Sequence, residues 1–223
     1  MPDLARDLRA AADLVTSELD SIEVLAREAL PDLVLAELTL AGGLFGDYDT
    51  DRLVRAAAAV ELLNFGVSRH YYGGQPGPDG NGPQGTDLIM GDYYYARAII
   101  LVLPLGCEVV GIGAGAIASV AEGEISTGVS RLSAEAIRKQ AALYAAAFDV
   151  ASCISCVESE VRARLCVIGE AVGALAAVGR QAERTDRLVD RFSQQLVEGI
   201  ASLPSGEARD NLKRVGEHQG GLS

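Results

Sequence analysis

The sequence predicts an all-α protein that folds as one helical bundle. Apolar residues recur at three- and four-residue spacing along most of the chain, which is typical of helices with one buried face. No segment shows the alternation of apolar and polar residues that a half-buried strand requires. Hydrophobic residues make up 49% of the 223 residues, but aromatic residues only 5%. A core built mainly from Ala, Leu, Val and Ile favours closely packed helices.

The bundle is predicted to occupy residues 1–203 as a single domain, followed by a polar C-terminal tail over residues 204–223. No linker and no convincing repeat divides the first segment. We expect the tail to be mobile, because polar terminal segments are seldom held in place by packing.

The first three helices follow from spacing and from capping residues. Residues 2–29 carry apolar side chains at helical spacing. Pro31 begins a second helix, as proline does in a first turn, and this helix ends at Gly42–Gly43. Asp49 or Thr50 caps a third, alanine-rich helix, which ends in two tyrosines before a loop of glycine and proline.

Two apolar helices are predicted next. Thr86 caps the first, and the second runs from about 105 to 122, with the two helices joined near Pro104. The first apolar run is about half the length that a membrane span needs. We therefore interpret the pair as buried helices and expect no transmembrane segment.

The last helices complete the bundle. Ser133 opens one, and Glu135 in its first turn suits a helix N-terminus. Further helices are predicted over residues 158–179 and 181–202.

The charge and the N-terminal segment limit the possible partners and location. The net charge is −12, which argues against a nucleic acid or an anionic membrane surface as the main partner. The N-terminal segment carries acids and has no apolar signal core, so a cytoplasmic protein is expected.

Four cysteines include a C-x-x-C pair, Cys153 and Cys156, together with Cys107 and Cys166. No zinc-ligand spacing and no strand–helix setting accompanies the pair. We interpret all four as buried cysteines that pack as small hydrophobic residues. The glycines of "GIGAGAIASV" follow no strand, and we interpret them as small residues that allow helices to pack closely.

Several polar side chains interrupt the apolar pattern. Asp92 and Glu122 lie inside apolar helices and need partners, for which Arg97 and Lys139 are candidates. His70 could line a pocket with the tyrosines that follow it and with Tyr93, Tyr94 and Tyr95; alternatively, these side chains wrap a helix end.

Four stretches follow one another in a fixed order: "AAAAVELLNFGVSRH", then "GTDLIMGDYYYARA" with Gly91 and Asp92, then "IASVAEGEI" with Glu122, and "RKQAALYAAA" with Lys139. Their order and spacing resemble the trans-polyprenyl diphosphate synthases over about residues 30–190. The resemblance implies a single-domain helical bundle of the isoprenoid synthase type.

In that family two aspartate-rich motifs face each other and hold Mg²⁺ on the diphosphate of an allylic substrate. This chain departs from both motifs. Tyr71, Tyr72 and Gln75 replace the first set, and Gly179, Arg180 and Glu183 replace the second. The family's basic substrate-binding segments are missing as well. The resemblance therefore implies no catalytic residue, no metal site and no cofactor in this chain, with Mg²⁺ expected only in a catalytic partner.

Two functions remain open on this basis. The first is a non-catalytic or regulatory subunit that pairs with a catalytic prenyl diphosphate synthase in isoprenoid biosynthesis, or forms a homodimer. The second is a protein or enzyme that binds an isoprenoid or a prenyl diphosphate in a remodelled, metal-independent pocket. The candidate pocket residues are Gly66, Val67, Arg69, His70, Asp92 and Lys139. Because Gly66 and Val67 are small, we expect the cavity beside them to be deep. An active synthase whose motifs are aligned in another register is a third possibility.

Overall fold

The computed structural model describes residues 2–19, 32–72, 85–129, 133–179 and 186–220. These residues form ten α-helices and no strand. In chain order the helices are α1 (Leu4–Leu19), α2 (Val34–Gly43), α3 (Thr50–Val67), α4 (Gly85–Val102), α5 (Cys107–Val129), α6 (Ala134–Gln140), α7 (Ala142–Ile154), α8 (Ser159–Gly179), α9 (Asp186–Ser202) and α10 (Glu207–Gly220). The predicted all-α class is confirmed.

Two predicted helix starts are confirmed by their capping hydrogen bonds. The carboxylate of Asp49 accepts a hydrogen bond from the backbone N–H of Arg52 at 3.1 Å, so Asp49 rather than Thr50 is the cap of α3. The hydroxyl of Ser133 accepts one from the N–H of Ala136 at 3.1 Å. Each cap satisfies a backbone donor that has no partner within its helix.

Helix α7 lies at the centre of the bundle and contacts α2, α3, α5 and α8. Its side chains Leu143, Ala147, Phe148 and Ala151 are almost completely buried. The many alanines of α3 and α7 let neighbouring helices approach closely, as the composition indicates. Helices α5 and α8 both pack against α6 and α7.

Buried carboxylates fix two of these helices. Glu61 of α3 is fully buried, and its carboxylate accepts hydrogen bonds from the backbone N–H of Ala36 at 3.0 Å and from the Asn64 amide at 2.8 Å. Glu61 thus caps the start of α2 from a neighbouring helix. Asp7 of α1 is also buried and accepts a hydrogen bond from the Tyr48 hydroxyl at 3.0 Å.

The C-terminal segment differs from the predicted mobile tail. Residues Glu207–Gly220 form helix α10, which packs against α2, α8 and α9. Leu212 and Val215 are only 1% and 6% exposed. Their three-residue spacing places two apolar side chains on one face, and acids occupy the first turn of the helix.

Helices α4 and α5 are joined by a short 3₁₀ turn, Leu103–Leu105, which confirms the predicted break at Pro104. Their predicted burial is wrong. The apolar windows Gly85–Leu105 and Cys107–Ser126 are each only 28% buried, and each is long and apolar enough to cross a membrane. Length and composition do not distinguish a membrane span from a helix whose apolar face packs against another protein.

Candidate functional site

The candidate site begins where α3 ends. Its last turn widens into a π-helical turn over Ser68–Tyr72. Such turns are rare in proteins and occur frequently at functional sites. This turn carries Arg69, His70, Tyr71 and Tyr72, so four of the predicted site residues lie together.

The π-turn is held against α4 by two polar contacts. Arg69 forms an ion pair with Asp87 at 3.2 Å. His70 contacts the carboxylate of Asp92 at 3.0 Å. Arg97, one of the two candidate partners for Asp92 and Glu122, pairs with Glu18 of α1 instead. The Asp92 side chain is also 73% exposed, so no buried carboxylate needs neutralisation there.

Ring stacking reinforces the contact between α3 and α4. The rings of His70 and Tyr95 stack with centroids 5.2 Å apart. A glycine on each helix makes room for a ring from the other helix: Gly66 of α3 faces Tyr95, and Gly91 of α4 faces His70. A Cβ atom on Gly66 would lie 2.4 Å from Cε1 of Tyr95, and one on Gly91 would lie 2.1 Å from Cδ2 of His70. Of the two predicted arrangements, these aromatic residues adopt the one in which they pack around the helix end, and they do not line an open pocket.

The described residues around Gly66 and Val67 fill the space where a deep cavity was expected. The Tyr95 ring fills the space at Gly66, and Val67 is 5% exposed. One to two turns earlier along α3, a cavity of only about 20 Å³ lies between α3, α4, α5 and α7. Small residues on one helix leave no cavity when a neighbouring helix supplies a large side chain.

The π-turn is also tied to α5. The hydroxyl of Tyr72 donates a hydrogen bond to the carboxylate of Glu124. Glu122, two residues before Glu124 on α5, pairs with Lys139 at 3.1 Å. Lys139 was one of its predicted partners, and this ion pair is confirmed. Lys139 also contacts Glu135 at 3.7 Å. Hydrogen bonding and charge attraction from Glu122, with a weaker attraction from Glu135, raise the pKa of Lys139.

The side chains at the end of α3 do not fit Mg²⁺. That ion prefers carboxylate oxygens, whereas Tyr71 and Tyr72 present phenols. Burial and the nearby charge of Glu124 raise the pKa of Tyr71, which disfavours a phenolate ligand. Glu122 and Glu124 are engaged by Lys139 and Tyr72. Among the described residues, no three His, Cys, Asp or Glu side chains form a group that could hold a metal ion.

The second predicted set is described only in part. Gly179 is the last residue of α8, and a Cβ atom placed on it would meet nothing within 4 Å. Gln75, Arg180 and Glu183 lie outside the described residues.

A second feature, which the sequence analysis did not predict, is a cleft of about 460 Å³ between α5 and α8, above α6 and α7. Its wall on α5 includes Gly111 and Gly115, where an added Cβ atom would meet nothing within 4 Å. These two glycines therefore line open space instead of packing closely, whereas a Cβ on Gly113 would lie 3.2 Å from Leu63. The i, i+4 spacing of the two glycines was the signal available in the sequence.

The cleft is apolar along its floor and charged along its rim. Alanines of α7 form the floor: Ala142, Ala145 and Ala146. Arg138 and Lys139 supply cations at one end. Acids and a thiol line the α7 and α8 sides: Asp149, Cys166 and Glu170.

The four cysteines are not buried, contrary to the prediction. Cys107 and Cys156 are exposed, and Cys153 and Cys166 are partly exposed. Cys107 begins α5, Cys153 lies in the last turn of α7, Cys156 follows that helix, and Cys166 lies on α8.

No protein-family model matches this chain, and no curated protein sequence matches it. Solved structures do match. A decaprenyl diphosphate synthase from Rhodobacter capsulatus is similar with a TM-score of 0.80 and 18% identity, over 98% of this chain and 97% of that chain. The geranyl diphosphate synthase small subunit from Antirrhinum majus is similar with a TM-score of 0.69 and 17% identity, over 97% of this chain and 100% of that chain.

A mint deletion mutant of a heterotetrameric geranyl pyrophosphate synthase is similar with a TM-score of 0.64 and 14% identity, over 94% of this chain and 88% of that chain. These likenesses show that the chain has the isoprenoid synthase fold that the sequence predicts. The matching structures include both a decaprenyl diphosphate synthase and a small subunit.

Proposed function

We propose that this chain is a non-catalytic or regulatory subunit of a prenyl diphosphate synthase, which pairs with a catalytic homologue in isoprenoid biosynthesis. The observation that carries the proposal is the end of α3. There, Tyr72 binds Glu124 and His70 binds Asp92, where the resemblance leads us to expect the first metal-binding aspartates. Side-chain hydrogen bonds hold this end of the bundle together.

Exposed apolar side chains support a protein partner. We define the α4–α5 face by the large apolar side chains that α4, the turn after it and α5 leave exposed: Leu88, Ile89, Ile99, Ile100, Leu103 and Ile125. Contiguous exposed apolar surface typically marks a site of protein–protein contact. A second bundle with a similar face would cover these side chains, and a homodimer would do so in the absence of the catalytic subunit.

The proposal divides the work between two chains. The catalytic partner would hold Mg²⁺ and both substrates, and this chain would act by packing, which favours one shape of the partner's cavity over others. We place this pairing in the cytoplasm.

Co-expression tests the pairing directly. The tagged chain is produced with each synthase of its own cell that carries both aspartate motifs, and complexes are isolated by affinity purification and size-exclusion chromatography. We expect a stable complex with one such synthase and a changed product length. The proposal fails if the chain remains apart from every such synthase.

An activity assay addresses the third possibility, an ordinary synthase. The purified chain alone receives an allylic diphosphate, isopentenyl diphosphate and Mg²⁺. We expect no product, because the described part of the site offers phenols in place of carboxylates. Product formed by the chain alone would contradict the proposal.

The α5–α8 cleft favours a second candidate function, the binding of an isoprenoid or a prenyl diphosphate without metal. Its volume of about 460 Å³ lies within the range of small-molecule sites. An apolar floor suits a prenyl chain. Arg138 would attract an anionic head group, whereas Lys139 already pairs with Glu122 and Glu135. Farnesyl diphosphate binding in EDTA, measured by calorimetry, tests this function. Arg138→Ala should weaken binding, whereas Arg187→Ala on α9 should not. If Arg138→Ala binds farnesyl diphosphate as tightly as the parent chain does, or if the parent chain does not bind it, this function is excluded.

A further inference from the structure

The C-x-x-C pair lies at the C-terminal end of α7, in a turn with an unusual backbone. Ser155 has φ −91° and ψ 7°, and Cys156 follows with a positive φ of 52°. The N–H of Val157 donates a hydrogen bond to the carbonyl of Ser152 at 3.0 Å, which closes the helix end. This closure places Cys156 at the position that glycine usually occupies.

The same backbone keeps the two cysteines close. Ile154 is the last helical residue and Ser155, with φ −91° and ψ 7°, continues the same turn, so Cys153 and Cys156 are the first and last residues of one turn of the chain. The end residues of such a turn have Cα atoms less than about 7 Å apart. Disulfide-bonded cysteines have Cα separations of about 4.4–6.8 Å.

The two thiols differ in their surroundings. Cys156 is exposed, and a cysteine held in the left-handed region is a backbone outlier of the kind that clusters at functional positions. Cys153 is partly buried, and burial together with the nearby charge of Glu108 on α5 raises the pKa of its thiol. An accessible thiol and a more shielded one, three residues apart at the end of one helix, are suited to a two-step reaction.

We propose that Cys153 and Cys156 form a reversible disulfide in the presence of a low-molecular-weight disulfide such as oxidised glutathione. In the first step the Cys156 thiolate attacks a sulfur of the small disulfide, and one small thiolate leaves and takes up a proton. In the second step the Cys153 sulfur attacks the Cys156 sulfur and releases the second small thiolate. The proton of Cys153 is released to solvent. Two protein thiols are oxidised, and one small disulfide is reduced to two thiols.

The other cysteines are less suited to this reaction. Cys166 lies on α8, where burial and the charge of Asp149 raise its thiol pKa to about 12, and little thiolate forms near neutral pH. Cys107 is exposed but belongs to α5. It serves as the matched control for Cys156, since both thiols are reachable from solvent.

The test uses the full chain in buffers with graded ratios of reduced to oxidised glutathione, followed by thiol blocking, non-reducing digestion and mass spectrometry. We expect a peptide that joins Cys153 to Cys156, the loss of two free thiols, and a protein mass lower by two hydrogen atoms. Cys107→Ser should still form this link. Cys153→Ser should stop at a glutathione adduct on Cys156, because the second step has lost its nucleophile.

Three results overturn the proposal: a glutathione adduct that persists on Cys156 in the parent chain, a disulfide that includes Cys107 or Cys166, or four reduced cysteines at the most oxidising ratio. Circular dichroism of each variant establishes that the bundle is folded.

Discussion

His70 rests directly on the backbone of Gly91, since a Cβ atom placed on that glycine would lie 2.1 Å from Cδ2 of the imidazole. The carbonyl oxygen of Gly66 lies 3.1 Å from the same position. The end of α3 and the first half of α4 are therefore in close contact, which leaves no room for a side chain at Gly91.

Alanine in place of glycine usually stabilises a helix, but at Gly91 we expect it to destabilise the fold. Gly91→Ala is expected to destabilise the fold by about 1–3 kcal/mol, because overpacking outweighs the gain in helix propensity. Gly111→Ala and Gly115→Ala, where nothing lies within 4 Å, should stabilise it by up to about 1 kcal/mol. Urea denaturation measures all three. The double variant Gly91→Ala, His70→Ala should recover part of the loss, and equal stability of Gly91→Ala and Gly111→Ala would refute this packing.

The sequence was informative where the chemistry is local. The caps at Asp49 and Ser133 were predictable because each side chain bonds to a backbone group three residues ahead. The break near Pro104 was predictable because proline lacks the N–H that a helix interior needs. The likeness to the polyprenyl synthases predicted the fold because the order of several motifs was informative although each motif alone was weak.

The sequence was misleading where the outcome depends on a distant helix. The His70–Asp92 contact joins residues 22 positions apart, and only the packing of α3 on α4 selects it over Arg97. The small residues Gly66 and Val67 suggested a cavity beside α3, but the ring of Tyr95 on α4 fills the space at Gly66. Hydropathy identified α4 and α5 as helices, yet it contains no information on whether a neighbour covers their outer faces.

The buried carboxylate of Glu61 should make the stability of the fold depend on pH. Burial raises its pKa from 4.5 to about 7, against the opposing effect of its hydrogen bonds. Between these two values the folded chain keeps a proton that the unfolded chain has lost. The free energy of unfolding is therefore expected to fall by about 2–3 kcal/mol as the pH rises from 5 to 8.

Guanidinium titrations at each pH measure this trend. Glu61→Gln should flatten it, because the amide does not titrate. Glu158→Gln, which changes an exposed acid, should leave the trend as it is in the parent chain. A parent chain whose stability rises from pH 5 to pH 8, or a Glu61→Gln variant with the parent's slope, would show that Glu61 is not the group responsible.

The hydrogen bond from Tyr72 to Glu124 joins the end of α3 to α5. Tyr72→Phe should cost about 0.5–1.5 kcal/mol of stability, a small loss because the Tyr72 side chain is 41% exposed. Tyr71→Phe removes a neighbouring hydroxyl and keeps this bond, so it should cost less. Since these phenols do not fit Mg²⁺, an excess of magnesium chloride should not raise the melting temperature above its value in EDTA. A saturable rise would be evidence of a metal site.

The α4–α5 face should be needed for the proposed pairing and not for folding. Ile100 is 55% exposed, and Ile100→Glu places a charge that a partner surface would bury without compensation. Binding to the catalytic subunit is expected to weaken at least about tenfold, as for a substitution at the centre of an interface. Val197→Glu on α9 is the matched control, because Val197 is 57% exposed and lies on another helix. Sedimentation and co-purification measure both variants. If the two substitutions weaken the complex equally, or neither does, the partner binds elsewhere on the bundle.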